Sequence, residues 1–172
     1  MINTLKQKIQ YHRQLFNLLS FVPMLCMAYI IFSFSAQNAD ESCELSYGFG
    51  YEFISGVCRI LKLSFSSEKI AQITYNTQYL LRKCAHMTEY FVFTLTVILP
   101  LYVNKFKAKQ ICIFAFIISV MYASLDEFHQ TFVPGRSGQI SDVFIDSIGI
   151  AASVFFFHVV LSMEKAAINK NL

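Results

Sequence analysis

Long uncharged stretches alternate with shorter charged ones along this chain, and the length of the uncharged stretches is the first informative feature. A bilayer core about 30 Å thick needs roughly 20 helical residues to cross it. Four segments approach that length: Leu15 to Ala36, Cys84 to Val103, Lys109 to Leu125, and Val143 to Met163. The third is short if counted only over uncharged positions, so it is expected to borrow the next turn through Asp126 and Glu127. The second has His86 and Glu89 in its first turns and Pro100 near its end; the fourth carries Asp146 one turn in. The pattern predicts an all-α membrane protein, a single domain over residues 1–172 with about four transmembrane helices near 15–36, 84–103, 109–127 and 143–163.

Between the first two spans lies a polar stretch from Asp40 to Lys83 that is more than a linker. Tyr47, Phe49, Tyr51, Phe53, Ile54, Val57, Ile60 and Leu61 give it an apolar component. After Ser66 or Ser67, either of which suits an N-cap, Ile70, Ile73, Thr77, Leu80 and Leu81 recur at helical spacing. One or two amphipathic helices at the membrane interface are expected here, the second running on into span two. No internal repeat or low-complexity segment interrupts the chain.

Composition and charge sharpen this picture. With 55% hydrophobic residues, the 172-residue chain has too little charged surface to wrap a soluble core. The basic, then apolar, N-terminus resembles a signal peptide, but the uncharged run from Gln14 to Ala39 suits a retained span. Juxtamembrane Lys and Arg resist translocation. Lys6, Lys8, Arg13, Lys105, Lys107, Lys109, Lys165 and Lys170 fall on one side of the four spans, with Glu164 the one carboxylate there. Both termini are therefore expected in the cytoplasm and the Asp40–Lys83 and Asp126–Asp142 connections outside. Cys43 and Cys58 could pair in an oxidising compartment, yet two cysteines make no disulfide framework and are read as free thiols.

The ionisable residues near the spans then gather at one face. Lys83, His86, Glu89 and Tyr90 share a broad face of span two. Span three closes with Asp126, Glu127, His129 and Gln130, and span four opens with Asp142 and Asp146. Between them Pro134-Gly135 marks a tight turn that would hold Arg136 in place. Charges at this depth are costly, so they should point inward and pair, with Lys83 and Arg136 as partners for Glu89, Asp126, Glu127, Asp142 and Asp146. Two cations cannot neutralise five carboxylates, so some carboxyls must be neutral, reach water or meet a bound cation.

Three chemistries fit this set. His86 with Glu89, Asp126 or Glu127 could form an acid/base group for hydrolysis or group transfer. His86, Glu89, Asp126, His129 and Asp142 are acceptable metal ligands, although no diagnostic metal spacing occurs and neither a metal nor a cofactor is assigned. Alternatively Lys83, Tyr90, Gln130, Arg136, Asp142 and Asp146 bind a ligand, the cations gripping phosphate or carboxylate and the acids gripping hydroxyls or an amine. The bland alternative is a set of polar clamps that fix helix packing in lipid. His12 and His158 lie apart, as an interfacial and a packed histidine. Ser33, Ser35 and Gln37 read first as the polar exit of span one, and the phenylalanines as packing and lipid-facing bulk.

The chain resembles the VanZ-like family. The matching elements are Phe34-Ser35-Ala36-Gln37, Arg82-Lys83-Cys84-Ala85-His86 with Glu89-Tyr90, Asp126-Glu127-Phe128-His129-Gln130, the Pro134-Gly135-Arg136 turn, and Asp142 with the small residues through Gly149. Family members often carry Asn where Asp146 stands, so this chain has one carboxylate more. The resemblance implies a multi-pass protein of a bacterial cytoplasmic membrane, from a family named for low-level resistance to teicoplanin-type glycopeptide antibiotics. It also implies that Lys83, His86, Glu89, Asp126, Glu127, Gln130, Arg136 and Asp142 belong to the functional set. The partners to be expected are membrane lipid and a lipid-linked cell-wall intermediate or lipoglycopeptide; nothing points to nucleic acid.

Overall fold

A computed structural model of the chain describes residues 2–170, with side chains described at residue 10 and over 12–169. Lys6, Lys8 and Lys170, which contribute to the expected orientation, have side chains outside the described residues. The chain is all helical: α1 (Ile2–Leu19), α2 (Val22–Ser35), α3 (Ala39–Ile60), α4 (Ser67–Val103), α5 (Ala108–Gln130) and α6 (Ile140–Lys170). Four stretches are long and apolar enough to cross a membrane: His12–Ser35, Ser67–Val103, Ala108–Gln130 and Ile140–Asn169. Their outward faces carry large apolar side chains such as Tyr29, Phe144 and Phe155, 72%, 71% and 69% exposed. Lipid can solvate such faces, whereas water would penalise a belt of that size.

The first span is not one uninterrupted helix. Pro23 has no N–H to give the carbonyl of Leu19, and its ring crowds that carbonyl. Accordingly α1 ends at Leu19, and α2 begins at Val22 after a turn in which Ser20 Oγ donates to Asn17 O at 2.6 Å. Pro100 lies a turn before the end of α4, and Asn104 Nδ2 donates to its carbonyl at 2.8 Å.

The Asp40–Lys83 stretch folds into a helical hairpin. Asn38 caps α3 by accepting from Glu41 N–H while Glu41 reaches back to the Asn38 N–H, a complete capping box. Ser66 caps α4 by accepting from Lys69 N–H. No break separates the amphipathic segment from span two: α4 runs for 37 residues, about 55 Å at about 1.5 Å per residue. That is nearly twice the roughly 30 Å of the bilayer core, so its first turns extend beyond the apolar layer. Against these turns α3 packs antiparallel. Gln78 Nε2 donates to Cys43 O at 2.9 Å, and Gly50 lies where an added Cβ would touch Leu81 and Thr74. The hairpin thereby returns the start of α3 to the level of Arg82 and Lys83.

Small residues hold the membrane helices close, as expected where lipid supplies no hydrophobic drive to associate. One face of α5 reads Ile111, Ala115, Ser119, Ala123 at strict i+4 spacing, all buried, and continues into Glu127. On α6 Asp146, Gly149, Ile150 and Ser153 form the buried stripe. An added Cβ at Gly149 would run into the backbone carbonyl of Met87, which marks the closest approach of α4 and α6. Tyr90, Phe93, Val97 and Ile98 of α4 pack with Ile31 of α2 to complete the core. Tyr122 Oη donates across to Ala28 O at 2.6 Å, tying α5 to α2. All five cysteines are free thiols, Cys43 and Cys58 included.

Candidate functional site

The end of the bundle where α2 and α5 stop and α3 and α6 start is built around the 131–139 connection. Arg136 N–H donates to Val133 O at 3.1 Å, with Pro134 second and Gly135 third at φ 74°, the pattern of a type II turn in which glycine supplies the positive φ. Two contacts pin this turn. Ala39 N–H donates to Pro134 O, and the Arg136 guanidinium donates to Phe34 O, a carbonyl at the end of α2 that also accepts from Gln37 N–H. Glu127 fixes the other flank: its carboxylate accepts from Gln139 N–H at 2.9 Å, just ahead of α6. Gly138 fits here because a Cβ would strike the Glu127 carbonyl.

Above these supports lies an open polar cavity of about 170 Å³. Its charged lining is Arg82, Lys83, Arg136 and Asp142, with His86, Gln130, Ser137, Gln139 and Tyr79 completing its chemistry. Lys83 Nζ pairs with Asp142 at 2.5 Å and sits 5.3 Å from the centre of the Tyr79 ring, a cation–π distance. His86 Nδ1 lies 3.5 Å from Glu89 Oε2. Arg136, in the connection outside the spans, is drawn below its usual guanidinium pKa by burial and, next, by the like charge of Arg82. A guanidinium starts so far above the physiological range that Arg136 stays charged there regardless.

The residues singled out in the sequence thus divide into two layers. Lys83, His86, Gln130, Arg136 and Asp142 face the cavity. Glu89, Tyr90, Asp126, Glu127 and Asp146 lie a turn further into the bundle and do not line it. Asp126 accepts from Gln130 Nε2 at 3.4 Å, and the hydroxyls of Ser35 and Tyr90 stand beside its carboxyl without reaching ordinary hydrogen-bond geometry. Asp146, 3% exposed, lies within electrostatic reach of Glu127, Asp142, Asp126 and Lys83. The expected pairing of both cations with carboxylates therefore holds for Lys83 but not for Arg136, which takes a backbone carbonyl instead. His129 packs against Phe32 with ring centroids 4.8 Å apart and planes tilted by 46°, and it does not line the cavity. Among the described residues no three His, Cys, Asp or Glu side chains converge as a metal-binding group.

A family model described as VanZ/LLP1 matches residues 20–161, most of the chain. The chain belongs to the VanZ/LLP1 family. No curated protein and no solved structure matches it. The matched region runs from the break before α2 to the last third of α6, so every residue that lines the cavity lies within the VanZ/LLP1 match.

Several cavity residues escaped the sequence reading. Arg82 stood in the family motif but was not placed in the site, although i, i+4 spacing sets it on the same helix face as His86; Ala39 of α3 and the 131–139 turn meet it at the cavity. Ser137 and Gln139 carried no signal beyond membership of a turn. Ser35, read first as a helix exit, is buried against Asp126. Its place in the Phe34-Ser35-Ala36-Gln37 element after span one was the available hint.

Proposed function

We propose that this cavity faces outward from the bacterial cytoplasmic membrane, with both termini inside, and binds the anionic headgroup of a lipid-linked envelope molecule. By doing so it lowers susceptibility to teicoplanin-type glycopeptides. The observation that carries this reading is the convergence of Arg82, Lys83, Arg136 and His86 on one cavity at an end of the membrane helices. Charged groups at such a position are costly to retain without a use or a partner. The orientation rests on Lys105, Lys107 and Lys109, which mark the opposite end of α4 and α5 and favour the cytoplasmic side.

The test is a susceptibility assay in cells that depend on the protein for protection. His86→Ala, Glu89→Gln, Asp126→Asn and Arg136→Ala should each abolish protection at unchanged membrane abundance. Normal protection from all four variants would remove the site, and loss of abundance would favour the polar-clamp reading.

The His86–Glu89 contact favours a second reading from another class. An imidazole oriented by a carboxylate at the cavity wall can move a proton, so the site would act as a hydrolase or transferase on the same headgroup. Turnover of labelled membrane lipids and wall intermediates by the purified protein supports it; saturable binding without product supports the binding reading.

A further inference from the structure

The cavity's size and charge say more about what it takes. We infer that its ligand is a phosphate monoester or diphosphate carried on a lipid tail, and that a whole lipoglycopeptide does not enter. This rests on the headgroup-binding reading above and narrows it to one chemical class.

Size decides first. About 170 Å³ is well below the roughly 300–1,000 Å³ of sites that engulf drug-sized molecules. A volume of that size suits a small polar group such as a phosphate or diphosphate. A glycopeptide antibiotic is larger than such sites can enclose, so any effect on it is exerted through the envelope molecule.

Charge decides next. Lys83 is already paired with Asp142, the one acidic residue of the lining. That leaves Arg82 and Arg136 with no carboxylate within ion-pair distance among the described residues, although four carboxyl groups lie one layer deeper. Two like charges at one open wall repel, and an anion between them relieves the repulsion. The remaining excess of two positive charges matches a phosphate monoester, which carries about −1.5 to −2 at neutral pH, better than a carboxylate. Guanidinium forks also match the spacing of phosphate oxygens. The deeper carboxyls form no ion pair with these two cations among the described residues, although Asp126 and Glu127 act on Arg136 through space; Glu127 accepts from Gln139 N–H and Asp126 from Gln130. Ser137 and Gln139 at the rim can donate to further oxygens.

The experiment measures binding to the full-length protein in neutral-lipid nanodiscs, with dodecyl phosphate, dodecanoate, inorganic phosphate and pyrophosphate as probes. Dodecyl phosphate should bind at least tenfold more tightly than dodecanoate, and pyrophosphate should displace it. Arg82→Gln should weaken dodecyl phosphate binding about tenfold at an unchanged melting temperature, and Arg82→Lys should restore part of the loss. Equal affinity for dodecanoate and dodecyl phosphate overturns the phosphate assignment while leaving an anionic-headgroup site standing. Pyrophosphate binding as tightly as dodecyl phosphate overturns the lipid-borne source. Absence of saturable binding by any of the probes overturns both this inference and the reading it rests on. An unaffected affinity in Arg82→Gln, with the protein folded, overturns the role of the guanidinium pair.

Discussion

Gly149→Val is expected to lower the melting temperature of the detergent-purified protein by on the order of 10 °C and to cut its abundance in the membrane. A Cβ at this position meets the carbonyl, carbon and Cα of Met87, which are backbone atoms of α4 and cannot swing aside. The two helices would have to separate. Overpacking typically costs about 1–3 kcal/mol, against a total stability of about 5–15 kcal/mol. For a chain of this size each kcal/mol is about 2–4 °C, and a β-branched residue against backbone belongs at the upper end. Gly56→Ala is the contrast, because nothing lies within 4 Å of a Cβ there. Alanine at that helical position should be neutral or stabilise by up to about 1 kcal/mol. A Gly149→Val protein that melts with the wild type would mean that α4 and α6 do not approach as described.

Lys83→Met should destabilise nearly as much, for a different reason. The pair it breaks is largely shielded, with 11% and 23% of the Lys83 and Asp142 side chains exposed. Removing one partner leaves the other charge uncompensated, a loss of about 3–5 kcal/mol for fully buried pairs and less where, as at Asp142, some water reaches the group. The double variant Lys83→Met, Asp142→Leu should recover most of that stability, because an apolar pair of similar volume often serves as well. Its function separates the two meanings of the pair. If the ion pair is only a clamp, the recovered protein protects cells again; if it forms part of a ligand site, folding returns and protection does not.

How much was legible in the sequence depended on whether neighbours or distant segments set the answer. Apolar length marked the four spans once a few ionisable residues near their ends were admitted, and Ser66, Pro134 and Gly135 were readable because caps and turns are local chemistry. Pro23 was equally visible, yet its consequence, the split of the first span between α1 and α2, was missed because the stretch was uniformly apolar. The gathering of Lys83, His86, Asp126, Glu127 and Asp142 at one end also followed from the sequence, since alternating crossings bring those segments to a common face. Which carboxylate meets which cation did not. Lys83 takes Asp142 because Gly149 lets α6 lie against α4, and Arg136 takes Phe34 O because its turn folds over the end of α2. Both depend on contacts more than sixty residues apart. The division into a cationic cavity over a layer of carboxyls has the same origin and has no linear signature.

The central claim, an outward-facing cavity that takes a phosphate group, is tested most directly at Ser137. This exposed cavity residue can become cysteine with little change in size and without touching Arg82, Lys83 or Arg136. In a background whose native cysteines are replaced, Ser137→Cys in intact cells should react with a membrane-impermeant maleimide, and added dodecyl phosphate should slow the reaction. Labelling only after the membrane is permeabilised would contradict the orientation, and a rate indifferent to dodecyl phosphate would contradict the site.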